Sequence, residues 1–286
     1  MGSPNRRLSF TPRLVPLVGV VGLVSLVAAL SVVTHLTVLG PDPSEYPQHV
    51  SAVLSLPFMM VIILGTWSVL QYEGVSATDI GLAKSTFLPG AIAFSLLWGW
   101  VTVVGLGYLF LTGATGELGV SFEMPRYWIP VWFLLTLTLS NGVTEEFVFR
   151  GYVQTKCTAL MSPDRVSAPA VGILVAAILF GVPHAPLGLI LEGVSLRAIP
   201  GIILSNLLPG ITYGIVYYLT RNVWYAGFVH GFGNAMVVPF DPSGVPLFVP
   251  FTAISGVLIG LGYRYWGRDT ERVTIGVQKR TAPSTE

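Results

Sequence analysis

The apolar stretches of this chain are too long and too many for the core of a soluble domain. A hydrocarbon layer of roughly 30 Å asks for about 20 apolar residues per helix. Stretches of that order occur at Leu14–Leu39, Val53–Leu70, Phe87–Leu111, Trp128–Val153, Ala168–Val182, Ile199–Leu219, Val223–Val238 and Leu247–Tyr265, the fifth and seventh being short. Only 10% of the 286 residues are charged and mean hydropathy is +0.72, whereas a soluble domain carries about 25% charged residues. The 32 glycines and 21 prolines are interleaved with Leu, Ile and Val, as in membrane helices, and do not signal disorder. The chain reads as an all-α membrane protein of about eight transmembrane helices, a single integral membrane domain over 1–286. The first stretch is too long for a signal-peptide core and lacks a small-residue cleavage site, so it is expected to be retained.

The cations set the orientation. Arg6, Arg7 and Arg13 precede the first span, and Arg264, Arg268, Arg272, Lys279 and Arg280 accompany or follow the last. Eight alternating spans bring Lys84, Lys156, Arg165 and Arg221 to the same side, against Arg126 and Arg197 opposite, where Asp42, Glu45, Glu117, Glu123, Glu192 and Asp241 also lie. Both termini are therefore expected in the cytoplasm, with the plasma membrane as location. Residues 267–286 read as a polar, solvated cytoplasmic tail. A net charge of +1 gives no reason to expect a nucleic-acid partner, and the lone Cys157 excludes an intrachain disulfide and a cysteine metal site.

Against this background, three polar clusters stand out: Glu145-Glu146-Phe147-Val148-Phe149-Arg150, Phe180-Gly181-Val182-Pro183-His184 and His230-Gly231-Phe232-Gly233-Asn234. A single charged side chain at the bilayer centre costs about 2.5–3.5 kcal/mol on the lenient insertion scale, so several together argue for a shared polar cavity among helices 4–7. Glu146 and Arg150 are four apart, acid first, and face one another along a helix. Glu145 is turned by about 100° and aligns with Phe149 and Tyr152 instead. An ion pair that locks two helices explains Glu146 and Arg150 equally well, but it leaves Glu145 unpaired. His230 and Asn234 share a face, and Gly227, Gly231 and Gly233 let a backbone or a substrate come close. Alone, that pair could be interhelical glue, and His184 could be an interfacial hydrogen-bonding residue. His35 and His49, at or beyond the outer end of the first span, are read as structural.

Together these residue types can do chemistry. A carboxylate and an imidazole can deprotonate water. A second imidazole and an amide can donate to a developing oxyanion, which is worth roughly 3–4 kcal/mol per donor in measured cases. No serine sits in a nucleophile elbow, and Cys157 has no evident partner. No cofactor is expected. Zinc stays open because Glu and His are legitimate ligands, although no His-Glu-x-x-His stretch occurs.

The order Glu-Glu-x-x-x-Arg (Glu145–Arg150), Phe-x-x-x-His (Phe180–His184) and His-x-x-x-Asn (His230–Asn234) resembles the three motifs of the CAAX-protease and bacteriocin-processing (CPBP, Abi) family of type II CAAX prenyl endopeptidases. Gly151 and the approach Gly210-Ile211-Thr212-Tyr213-Gly214 through Trp224 fit as well. The resemblance covers about 128–240. It implies a glutamate-dependent intramembrane endopeptidase that cleaves near the C-terminus of a membrane-associated protein or peptide, prenylated in the best-known members. It assigns water activation to Glu145 and His184, a supporting role to Glu146 and Arg150, and the oxyanion hole to His230 and Asn234. Phe180 enters as the first residue of the second motif.

Other readings are a proton-coupled transporter or a non-catalytic immunity partner of the same fold. Transporters usually show paired repeats, whereas the polar residues here crowd the second half. Two local expectations follow: Pro183 and Asn141-Gly142 should each loosen a helix beside a motif. One tension is open, since His184 falls near the outer end of the fifth span and Glu145 about ten residues from the cytoplasmic end of the fourth.

Overall fold

The computed structural model describes residues 7–42, 45–119, 124–161, 166–191, 193–266 and 274–278. Most of the expected tail, with Arg268, Arg272, Lys279 and Arg280, lies outside them, as do Arg6, Glu123, Arg165 and Glu192.

Three long helices open the bundle: α1 (Val15–Leu39), α2 (Gln48–Tyr72) and α3 (Lys84–Thr112). The expected fourth span is not one helix. It consists of α4 (Trp128–Leu137), a turn, α5 (Gly142–Glu146), a π-helical stretch (Phe147–Gln154) and α6 (Thr155–Leu160). Then come α7 (Ala168–Gly181), α8 (Ile199–Ser205), α9 (Leu207–Thr220), α10 (Val223–Asn234) and α11 (Phe248–Trp266). Five helical runs are long and apolar enough to cross a membrane: Val15–Leu39, Gln48–Tyr72, Lys84–Thr112, Ala168–Ile190 and Leu196–Thr220. The chain is thus an α-helical integral membrane protein. Among the described residues five runs, rather than eight, meet the requirement by length and composition.

Of the three expected spans outside these five, the eighth is the continuous 19-residue α11, and the fourth and seventh fall short for one shared reason. The 12 residues of α10 reach only about 18 Å at 1.5 Å per residue. Most of the helix is buried, however, against α3, α4, α5 and α9, so it has no need to meet lipid along its length. Its glycines make the fit possible. A Cβ on Gly227 would lie 2.5 Å from Val143 Cα, and one on Gly231 would lie 2.6 Å from Leu137 Cα. A Cβ on Gly142 would meet the Gly227 carbonyl oxygen at 2.2 Å. α10 therefore lies flush on the break between α4 and α5.

The fifth span is longer than its apolar run suggests. A 3-10 turn at Val182–His184 and a π turn at Leu187–Leu191 follow α7, with Pro183, which cannot donate a backbone hydrogen bond, inside the tightened turn. His184 consequently sits within the Ala168–Ile190 run rather than at its outer end, which removes the depth conflict with Glu145.

The termini are tied together. β1 (Arg7–Phe10) and β2 (Thr274–Val277) pair in parallel, Arg7 opposite Thr274. Both strands pack on α6, and Leu8 and Phe10 are buried. The stretch 274–277 is thus a packed strand, not a solvated end, and it places both terminal segments at one end of the bundle. Lys156, expected in a loop, is fully buried there. It is paired with Glu73 at the end of α2.

Candidate active site

The site begins at the broken fourth span. α4 ends at Leu137, and Asn141 has an extended φ of −159° before the chain turns helical again at Gly142. The Asn141 carbonyl accepts the Glu145 amide hydrogen at 2.9 Å, so the restart sets the direction of both glutamates. From Phe147 to Gln154 the helix is π-wound, a form that occurs mostly as short insertions and often at functional sites. Arg150 still reaches Glu146, Nε to Oε2 at 3.2 Å, with both side chains fully buried. The wider winding undoes the expected alignment of Glu145 with Tyr152, whose hydroxyl donates instead to Glu73 at 2.9 Å.

α10 supplies the other half. His230 Nδ1 lies 2.9 Å from Glu146 Oε1, and its Nε2 lies 3.8 Å from Glu145 Oε2. Tyr213 of α9 stacks on the His230 ring, centroids 4.4 Å apart and planes 17° apart. Phe180 meets the same ring edge-on at 5.6 Å. Among the described residues the Arg150 guanidinium has no hydrogen-bond acceptor. It lies over Phe180 at 4.8 Å and Tyr213 at 5.8 Å, so aromatic faces supplement the single ion pair.

His184 is oriented from its own turn. Its Nδ1 lies 2.9 Å from the Phe180 carbonyl. A carbonyl only accepts, so Nδ1 carries the hydrogen, and in the neutral ring Nε2 holds a lone pair. His184 lines two cavities, of about 330 and 230 Å³, which share Asn141, Glu145 and His184. The larger lies against α1 and α2 and is mainly apolar, with Val24, Val27, Phe58 and Ile62 in its wall. The smaller is lined by Tyr213, His230 and Asn234. Glu145, 18% exposed, stands where the two meet.

The structure thus places Glu145, Glu146, Arg150, His230, Phe180 and His184 around one centre. Asn234, at the exposed end of α10, lines the smaller cavity and donates from Nδ2 to Asn141 Oδ1. Sequence reasoning passed over Tyr213 and Asn141. Tyr213 lies within the glycine-flanked approach, and in the sequence Asn141 signals only a loosened helix. His35, expected to be structural, has its ring nitrogens 2.8 Å from the Ser31 carbonyl and 3.3 Å from that of Ser51, and it also lines the larger cavity. Among the described residues, no group of three or more His, Cys, Asp or Glu side chains is placed to hold a metal ion.

Residues 127–236, which hold all of these groups, match the family described as Rce1-like, type II CAAX prenyl endopeptidase. No curated protein and no solved structure matches the chain. This segment of the chain is similar to that family, which supports the resemblance read from its three motifs.

Proposed function

We propose that this protein is an intramembrane glutamic endopeptidase that hydrolyses a peptide bond near the C-terminus of a membrane-associated protein or peptide, prenylated substrates included, from a multi-pass position in the plasma membrane with both termini cytoplasmic. The observation that carries the reading is the contrast between the two adjacent carboxylates. Glu146 is committed to Arg150 and His230, while Glu145 faces both cavities beside His184. Adjacent acids in unequal environments are what an acid/base site requires.

In the reaction, a water between Glu145 and His184 attacks the scissile carbonyl carbon and gives up a proton to this pair. The carbonyl oxygen becomes an oxyanion that accepts hydrogen bonds from His230 and Asn234. Donation from His230 Nε2 requires hydrogen on both ring nitrogens, since Nδ1 is engaged with Glu146. Collapse breaks the C–N bond, and the amine leaves with the proton held by Glu145 or His184. Glu146 and Arg150 keep the His230 ring in place and balance its charge. The smaller cavity, where His230 and Asn234 converge, would hold the carbonyl. No metal or cofactor takes part in this scheme.

The test uses wild-type protein and Glu145→Gln in nanodiscs, with and without a metal chelator. Both are incubated with farnesylated and unmodified C-terminal CAAX peptides, and products are read by mass spectrometry. Chelator-resistant cleavage by wild type and none by the variant is the expected result. Full activity in Glu145→Gln would remove the general-base assignment. Cleavage lost with the chelator would replace the scheme with a metal-dependent one.

A further inference from the structure

Asn141 does not do what an asparagine at its position usually does. It precedes the first residue of α5, where an Asn side chain ordinarily caps the helix by accepting a backbone N–H. Its side chain accepts none from α5, and the Glu145 amide bonds to its backbone carbonyl instead. The side-chain oxygen reaches across to α10 and accepts from Asn234 Nδ2. The contact needs the flush packing of Gly142 on Gly227, where a Cβ would leave only 2.2 Å. Asn141 also lines both cavities next to Glu145 and His184.

A carboxamide is ambiguous as an oxyanion donor. Rotated by half a turn, Asn234 would present its acceptor oxygen to the oxyanion in place of its N–H. Nothing on α10 prevents this, since Asn234 is the last residue of the helix and exposed. With its side-chain oxygen as the acceptor, Asn141 takes one Nδ2 hydrogen of Asn234 and leaves the second for the cavity. It does so without adding a charge beside Glu145.

We propose that Asn141 is a positioning residue that holds the Asn234 carboxamide with its free N–H toward the scissile carbonyl. One residue thereby joins the water-activating and oxyanion-binding halves of the site, through its backbone to Glu145 and through its side chain to Asn234. The catalytic part of this inference rests on the peptidase reading above, whereas the amide orientation does not.

The experiment separates the two. The chain contains five asparagines, Asn5, Asn141, Asn206, Asn222 and Asn234, so protein labelled with 15N-asparagine in nanodiscs gives five side-chain amide pairs. Asn234→Ala identifies its pair. The expected wild-type Asn234 pair has two unequal protons, one protected from exchange. Asn141→Leu removes that protection, and Asn141→Asp, which retains an acceptor, preserves it. In peptide turnover, Asn141→Leu should lower kcat by about 10²-fold, the cost of a small misplacement, with KM and Tm unchanged. It should lower it no further in an Asn234→Ala background, because it acts only through Asn234. An Asn234 pair that is the same in wild type and Asn141→Leu overturns the proposal, whatever the turnover. So do losses that multiply in the double variant. If the wild type cleaves no peptide, the peptidase reading fails and the amide spectra alone decide the orientation.

Discussion

The continuous stretch from Gly142 to Leu160 carries two buried carboxylate clusters, and they differ in what is left over. At its far end, Lys156 and Tyr152 both donate to Glu73 Oε1, the latter at 2.9 Å, while the Thr11 amide reaches Oε2 at 3.2 Å. The Glu73 backbone carbonyl is taken as well, by Gln278 Nε2 at 3.2 Å. Every oxygen of Glu73 has a donor, and neither Glu73 nor Lys156 lines either of the two cavities. At the near end Glu146 is taken up by the Arg150 ion pair on Oε2 and by His230 Nδ1 on Oε1, but among the described residues Glu145 meets only a ring nitrogen at 3.8 Å, beyond hydrogen-bonding distance, and two cavities open beside it. A buried acid next to a cation is therefore no mark of a catalytic centre. The mark is unspent hydrogen-bonding capacity on an acid that a substrate can reach.

The sharpest way to break this contrast is to neutralise one acid of each cluster. Glu145→Gln should lower peptide turnover by a factor on the order of 10³, within the range for a general base, with no change in melting temperature. Glu73→Gln should do the reverse. Turnover per folded molecule should stay near wild type while thermal stability falls, because an amide cannot replace the charge that Lys156 needs. If Glu73→Gln silenced the folded enzyme, the two clusters would not be separable.

Removing the cations probes the same difference from the other side. Arg150→Met leaves Glu146 facing His230 alone, and Lys156→Met leaves Glu73 with Tyr152 and the Thr11 amide. Each strands a buried carboxylate, a loss of about 3–5 kcal/mol that chemical denaturation in detergent would detect. The two should part in the double variants. Lys156→Met with Glu73→Met should recover most of the stability with turnover intact, since apolar pairs of similar volume often replace a buried ion pair. Arg150→Met with Glu146→Met should recover stability without activity, because His230 loses the carboxylate that orients it.

Much of the near cluster was legible in the sequence, and little of the far one was, for a physical reason. Glu145–Arg150, Phe180–His184 and His230–Asn234 interrupt apolar runs, and a polar group in such a run must have a use or a partner. Lys156 lies at the end of a run, where a cation reads as a loop residue; its partner Glu73 is 83 positions away. The strand at Thr274–Val277 was hidden likewise, because Ile275 and Val277 alternate with polar neighbours only over four residues, and the pairing strand lies at the opposite end of the chain. Asn141-Gly142 marked the place of the break at Thr138–Asn141, but hydropathy could not reveal its extent. The break depends on how closely Gly227 and Gly231 let α10 approach, which is a property of packing. The roles of Tyr213 and Asn141 follow from that approach, so they were invisible for the same reason.

Tyr213 gives the smallest effect and the finest test of how the near cluster is held. Its ring is nearly parallel to His230, and its hydroxyl oxygen would lie 2.8 Å from a Cβ on Gly233, so ring and hydroxyl have separable jobs. If the face is what matters, Tyr213→Phe should leave turnover close to wild type, because the stack and the cover over Arg150 survive. Tyr213→Leu should cost about 0.5–1.5 kcal/mol, the worth of an aromatic pair beyond its buried area, and so slow turnover by up to about tenfold with KM unchanged. The far cluster supplies the control. Phe10 packs edge-on against Tyr152 at 6.2 Å, and Phe10→Leu should shift stability alone by a similar amount. A loss in Tyr213→Phe as large as in Tyr213→Leu would move the role from ring to hydroxyl, and make Tyr213 a donor to the reacting carbonyl rather than a wall behind His230.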